Sequence, residues 1–272
     1  MLHALRSHWP EYLMEAWGLG VFMVVAGDAV ILMEAPASTL HALIHDADLR
    51  RAIVGIAMGL TAIGIIYSPW GKQSGAHINP AVTLTFLRLG KIAKWDALFY
   101  ILAQFIGGTL GVLLVLFLFG GNFALPPVSY VKTVPGPSGY WLAFAAELLI
   151  SLVLMLTVLF FMNRRNLKHL TGLAAGVLVA LFITFEAPLS GTSMNPARSF
   201  ASAVPGGDWT FLWIYLSAPF LGMLAAVEIY LLLKFSTARM CAKLDHAEDR
   251  RCIHCGYAPP FTGKNSNKRM QL

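Results

Sequence analysis

Charge is scarce in this chain. Only 34 of its 272 residues are Asp, Glu, Lys or Arg, 12% against about 25% for an average soluble protein. A soluble fold of this length could not cover its surface with so little charge. Cysteine is nearly absent: there are three, all in the last 32 residues, which excludes a disulfide scaffold. Polar low-complexity tracts are missing too, and with 57% apolar residues the chain cannot be disordered. No nucleophile–base pair, phosphate loop or buried metal set is present, so neither an enzyme nor a cofactor is expected. What remains is a polytopic membrane protein embedded in a lipid bilayer.

The charge that exists is concentrated. Residues 236–272 carry ten charged side chains with a net of +4. Beside an anionic leaflet this reads as a cytoplasmic tail. No nucleic-acid motif accompanies it, so no nucleic-acid partner is expected.

Spanning a hydrocarbon core of about 30 Å takes about 20 helical residues. Six apolar runs qualify, near 12–33, 51–69, 94–118, 140–162, 169–187 and 209–234. The first has no Ala-x-Ala cleavage signature and reads as a retained helix. Two further stretches, 78–87 and 194–203, are too short to cross. Irregular backbone survives at membrane depth only where protein or a cavity covers it, so both are predicted to be re-entrant half-helices. Each opens with Asn-Pro-Ala. Asn is a preferred N-cap, and Pro fits the first helical position.

The chain also repeats. LAQFIGGTLG at 102–111 aligns with SAPFLGMLAA at 217–226, and Asn79 and Asn195 are 116 apart. Glu15 and Glu147 are 132 apart, the excess being a longer first loop. Three spans and one half-helix per repeat is an odd number of crossings, so the halves, about 10–120 and 138–235, must be inverted. The expected layout is a channel domain over 1–235 and a basic Cys/His-containing tail over 236–272. Placing both termini in the cytoplasm puts 16 of the 20 Lys and Arg there, which the positive-inside rule favours.

Two half-helices of about 15 Å entering from opposite faces meet at mid-membrane. Their positive ends repel cations, hydronium included. The Asn79 and Asn195 carboxamides can each donate to a passing oxygen. A water held by both cannot accept from its neighbours, which breaks a proton wire while neutral molecules pass. Rival classes fit less well. A secondary transporter would want titratable groups at the midplane, and a cation channel would want acidic rings or carbonyl arrays.

SGAHINPAVT at 74–83 and SGTSMNPARSF at 190–200, each inside a matching repeat, resemble the aquaporin or major intrinsic protein family. The resemblance covers about residues 10–235. It implies an all-α membrane fold of six transmembrane helices and two half-helices in an inverted repeat, assembled as a homotetramer in a plasma or inner membrane. It implies a pore constriction at Asn79, Pro80, Ala81, Asn195, Pro196 and Ala197. The selectivity filter would comprise Arg198, Thr192, Ile183 and a second-span residue, Met58 or, given a loop one residue longer than usual, Gly59. Glu15, Glu147 and His77 would support the half-helix loops.

The filter departs from the best-known subtypes. Strict water channels typically carry His where Ile183 stands and an aromatic in the second span. Glycerol channels carry aromatics at two filter positions. Ser199 and Ala203 favour water as the permeant; the alternative is water plus small neutral solutes such as glycerol. Glu186, three residues after Ile183, is expected to pair with a cation elsewhere or to make the outer vestibule negative. The tail offers Cys241, His246, Cys252 and Cys255. Cys-x2-Cys-Gly resembles half a zinc knuckle, but the full spacing fits no standard finger, and reduced thiols in a mobile tail are the expectation.

Overall fold

The structure is a computed structural model that describes residues 1–233, 241–246 and 249–258. The basic residues Lys234, Arg239, Lys264, Lys268 and Arg269 lie outside the described residues. Among those described there is no strand; the chain is helical. Eight helices build the channel body: α1 (Leu2–Glu34), α2 (Ala47–Tyr67), α3 (Pro80–Arg88), α4 (Lys94–Phe119), α5 (Tyr140–Met162), α6 (Thr171–Phe185), α7 (Pro196–Gly206) and α8 (Leu212–Leu232). Six of them are long and apolar enough to cross a membrane. The other two, α3 and α7, are the short re-entrant segments.

The packing repeats with the sequence. The tightest pairs are α1 with α4, its counterpart α5 with α8, and α2 with α6 across the two halves. Each half-helix lies on the last helix of the other half, α7 on α4 and α3 on α8. Close approach explains two of the glycines. A Cβ on Gly107 of α4 would lie 2.0 Å from the Ala16 carbonyl oxygen of α1. One on Gly59 of α2 would lie 2.5 Å from the Gly176 oxygen of α6. Small residues at such crossings let backbones pack where lipid offers no hydrophobic drive between helices. Phe117, Leu110, Leu60 and Leu232 are strongly exposed; facing hydrocarbon, they carry no penalty.

The helix bounds differ from the apolar runs at a few ends. α1 begins ten residues early, running through Pro10. Its first turns are held by packing on α4: Tyr12 Oη donates to Asp96 at 2.6 Å, and His8 Nδ1 lies 2.8 Å from the same carboxylate. α2 starts at Ala47 because Asp46 caps it, accepting from the N–H groups of Asp48 and Leu49. α6 stops at Phe185, and a separate turn, Ala187–Ser190, leads into the second re-entrant loop.

Candidate functional site

Asn79 and Asn195 are the N-caps of α3 and α7, with Pro80 and Pro196 in the first turn. The Asn79 Oδ1 accepts from Ala81 N at 2.9 Å, and the Asn195 Oδ1 accepts from Ala197 N at 3.1 Å. Their amide nitrogens cross over. Asn79 Nδ2 donates to the Met194 carbonyl at 2.7 Å, and Asn195 Nδ2 donates to the Ile78 carbonyl at 2.8 Å. The two half-helix N-termini therefore meet, each tied to the residue before the other cap. An amide NH2 has two hydrogens, so one on each Asn is left over. α3 and α7 have nine and eleven residues, about 14 and 17 Å. Together they match the hydrocarbon thickness of about 30 Å.

The loops that deliver these caps are strained. Gly75 and Gly191 are left-handed, with φ of 110° and 84°. So are Ala76, Ile78, Thr192 and Met194, which are not glycine, at a cost of about 1 kcal/mol or more each. Two buried glutamates offset that cost. Glu15 accepts from His77 N at 3.0 Å, Ile78 N at 2.6 Å, Ser74 Oγ at 2.7 Å and Gln104 Nε2 at 2.8 Å. Glu147 accepts from Ser193 N at 2.6 Å, Met194 N at 2.8 Å and Ser190 Oγ at 2.8 Å. Both are fully buried. At about 0.5–1.5 kcal/mol net for each hydrogen bond, these contacts together are of the size needed to hold the left-handed residues.

A cavity of about 510 Å³ runs along these loops. Asn79, Asn195, Met58, Ile183, Thr192 and Arg198 all line it. Gly59 does not; it faces the α6 backbone, as its close approach to Gly176 requires. Of the two second-span residues that the sequence left open, Met58 is the one that lines the cavity. His77 also lines the cavity, as do Met194 and Ile78. Pro80, Ala81, Pro196 and Ala197 are buried behind the caps as the first turns of the half-helices.

Around Arg198 the polar groups are unevenly satisfied. Arg198 Nη1 is buried and has no hydrogen-bond partner among the described residues. Thr192, by contrast, gives its hydroxyl to Glu186 Oε2 at 2.6 Å. Among the described residues Glu186 pairs with no cation; the short turn Ala187–Ser190 folds Thr192 back onto it. This replaces the pairing expected from the sequence. Met58 and Ile183 complete an apolar wall.

The cavity has two unlike ends. At one, Glu34, Arg51 and Lys132 line it. Arg51 Nε is held by the Thr184 carbonyl at 2.8 Å. Nearby, Lys132 Nζ is 2.5 Å from Asp208 and holds that carboxyl down to about 2, through its hydrogen bond first and the Thr210 N–H next. At the other end Leu244, from the tail, lines the cavity. Arg251 of the tail reaches toward Ser7 and Glu11 at the start of α1, and Glu34 lies about 35 Å further along that helix. The passage therefore extends over the full depth of the bundle.

The described part of the tail, 241–246 and 249–258, packs against the channel. His77 Nε2 donates to the Ala242 carbonyl at 2.7 Å, and Leu244 N donates to the Gly75 carbonyl at 3.1 Å. His254 Nε2 donates to the Ser74 carbonyl at 3.0 Å. Sequence reasoning gave His77 a bracing role within its own loop. Its Nδ1 does lie 3.1 Å from Thr83 Oγ1, but its other nitrogen is committed to the tail. No signal in the sequence links residues 165 positions apart.

The model of the Major intrinsic protein family matches residues 4–230. Among curated relatives, the chain is 35% identical to Aquaporin NIP2-3 of Zea mays over 82% of this chain and 71% of that protein. It is 35% identical to Aquaporin NIP1-4 of Oryza sativa subsp. japonica over 68% of this chain and 66% of that one. The match thus spans about two thirds of these relatives' lengths. The X-ray structure of the aquaglyceroporin from Plasmodium falciparum superimposes with a TM-score of 0.70 over 82% of this chain and 96% of that one, at 23% identity, which speaks to the fold. With six membrane-capable helices around two cap-to-cap half-helices, this chain belongs to the major intrinsic protein family, as a multi-pass membrane channel and not an enzyme.

Proposed function

We propose that the channel passes water together with small neutral solutes of the size and polarity of glycerol, and excludes protons and ions. The observation that carries this reading is the mismatch at the filter. Arg198 offers a free, buried donor, while Met58 and Ile183 offer only apolar surface and the Thr192 hydroxyl is spent on Glu186. A permeant with hydroxyls on one edge and carbon on the other satisfies both walls. A water-only filter would present more donors. The sequence leaned toward water alone on the strength of Ser199 and Ala203. Ser199 Oγ is instead bonded to Ser193 and Thr133, so it has no part in the filter wall.

Exclusion of cations rests on three fixed positive features along one path. These are the Arg198 guanidinium and the N-terminal ends of α3 and α7, each equivalent to about half a charge. The spare hydrogens of Asn79 and Asn195 orient a central water as a double acceptor, which interrupts proton hopping. Among the described residues, 11 of 15 Lys and Arg belong to the tail side, so by the positive-inside rule the tail face is cytoplasmic. The resemblance to the family supports a homotetramer with one pore per protomer in a plasma or inner membrane.

Stopped-flow light scattering on proteoliposomes tests the reading. An impermeant osmolyte should give fast shrinkage, and glycerol should give shrinkage followed by fast reswelling. Shrinkage without reswelling would restrict the channel to water.

A further inference from the structure

Cys241, His246, Cys252 and Cys255 are spread over fifteen residues in a spacing that matches no standard finger. In the folded tail their ligand atoms all lie within 4.8 Å of one another. Cys241 Sγ is 3.4 Å from Cys252 Sγ, and His246 Nε2 is 3.3 Å from Cys255 Sγ. Ligands at the corners of a tetrahedron with bonds of about 2.3 Å stand about 3.8 Å apart. The Cys-x2-Cys turn is closed by Gly256, at φ 72°, whose N–H donates to the Cys252 carbonyl at 3.1 Å. All three cysteines are free thiols.

A second observation comes from Lys243, which sits between the first two ligands in sequence. It is 2% exposed, and its Nζ has no hydrogen-bond partner among the described residues. Its charge interacts with Cys252, Cys241, Glu11 and Cys255. Three thiolates and a neutral imidazole around a divalent ion carry one net negative charge. A buried ammonium beside them balances it; without the metal the same ammonium is costly to bury.

We propose that Cys241, His246, Cys252 and Cys255 hold a zinc-type divalent ion, and that the metal-bound tail caps the adjacent mouth of the pore. Thiolate-rich tetrahedral sets select zinc among the common divalent ions. The second half of the proposal rests on the channel reading above. The residues that reach the mouth are those the ligands bracket. Ala242 and Leu244, between Cys241 and His246, bond His77 and Gly75. His254, between Cys252 and Cys255, bonds Ser74 and stacks on His77 with ring centroids 5.9 Å apart. Leu244 lines the cavity itself. A Cβ on Gly75 would meet the Ala242 oxygen at 2.7 Å, so loop and tail are in full contact. Lys72 pairs with Asp245 at 3.2 Å, and Arg250 donates to the Pro69 carbonyl at 2.8 Å. A segment this short has no core of its own, and a bound metal would supply its folding energy.

The test uses the full chain purified under reductant, stripped with a chelator and reloaded with Zn²⁺ or Co²⁺. One equivalent of Zn²⁺ per chain is expected, as is a tetrahedral cobalt–thiolate spectrum. Both should be lost in Cys252→Ser/Cys255→Ser. Stripping should raise amide hydrogen exchange at 241–257 and raise osmotic permeability several-fold, with the double variant behaving like the stripped protein. No stoichiometric metal, or a Cys241–Cys252 disulfide formed in its place, overturns the site. Metal retained by the double variant overturns the ligand assignment. Stoichiometric metal with unchanged exchange and unchanged permeability overturns the cap. Metal binding with protected exchange in a chain that passes neither water nor glycerol, stripped or loaded, overturns the cap as a gate and the channel reading, and leaves the metal site standing.

Discussion

The re-entrant loop at 74–79 and its counterpart at 190–195 are built on one plan and end with different free groups. Each has a left-handed glycine, a Ser, an alternation of left-handed residues and a buried glutamate that takes the backbone N–H groups two and one before the cap. Even the tyrosines correspond: Tyr100 donates to the Ser74 carbonyl and Tyr215 to the Ser190 carbonyl. The difference lies in what else touches the loop. The first is roofed by the tail, which takes the His77 ring and the Gly75 carbonyl. The second carries Thr192 and is followed by Arg198, whose Nη1 has no partner among the described residues and lies beside the cavity. On the proposed reading, the shared scaffold builds the constriction, and unshared side chains set the permeant at one mouth and access at the other.

The supporting glutamates give the largest test of this equivalence. At Glu15, Gln104 is a fourth partner whose Oε1 is unbonded, so its amide can turn to accept from a glutamine. At Glu147 the corresponding helix position is Pro219, and two of the three donors are fixed backbone N–H groups. Glu147→Gln should therefore cost about 3–5 kcal/mol, and Glu15→Gln at least about 1 kcal/mol less. Thermal midpoints in detergent check this. Equal losses would mean that Gln104 does not distinguish the halves.

Next in size is removal of the charge at the mouth opposite the tail. Arg198→Ala leaves both half-helix ends in place and removes one of the three positive features. Proton leak through proteoliposomes, followed with an internal pH dye, should become measurable while water permeability persists. The smallest effect concerns the surface near that mouth. Asp208 is held near 2 by Lys132 and Thr210, below its ordinary value of about 3.9. A depressed carboxylate stabilises the fold above its ordinary value and loses that contribution as pH falls through the lowered one. The pair is exposed, so Asp208→Asn should shift stability by less than about 1 kcal/mol, and only above about pH 2.

Much of this was legible in the sequence because it is local. Asn before Pro announces an N-cap, a short apolar run announces a half-helix, and a 116-residue spacing announces the repeat. The glutamates were paired with their loops through the family resemblance, and their equivalent places in the first span of each half agree with it. Met58 against Gly59 was not decidable from the chain, since the longer loop blurs the register; packing against Gly176 turns Gly59 away from the cavity and leaves Met58 lining it. The partner that Glu186 has, Thr192, was not foreseen because it is brought back by a one-turn helix that carries no strong sequence signal. The tail was the least readable region. Its ligand spacing follows no repeat, and the carbonyl that receives His77 belongs to Ala242, a residue without any chemical mark.

The division of labour between the mouths is tested most directly by the ratio of glycerol to water permeability in proteoliposomes, measured before and after chelation. The account predicts that both permeabilities rise together, leaving the ratio unchanged. In Ile183→His, an added donor should lower the ratio about tenfold, equivalent to about 1.4 kcal/mol, with the response to chelation intact. A ratio that shifts on chelation, or that ignores Ile183→His, would contradict it.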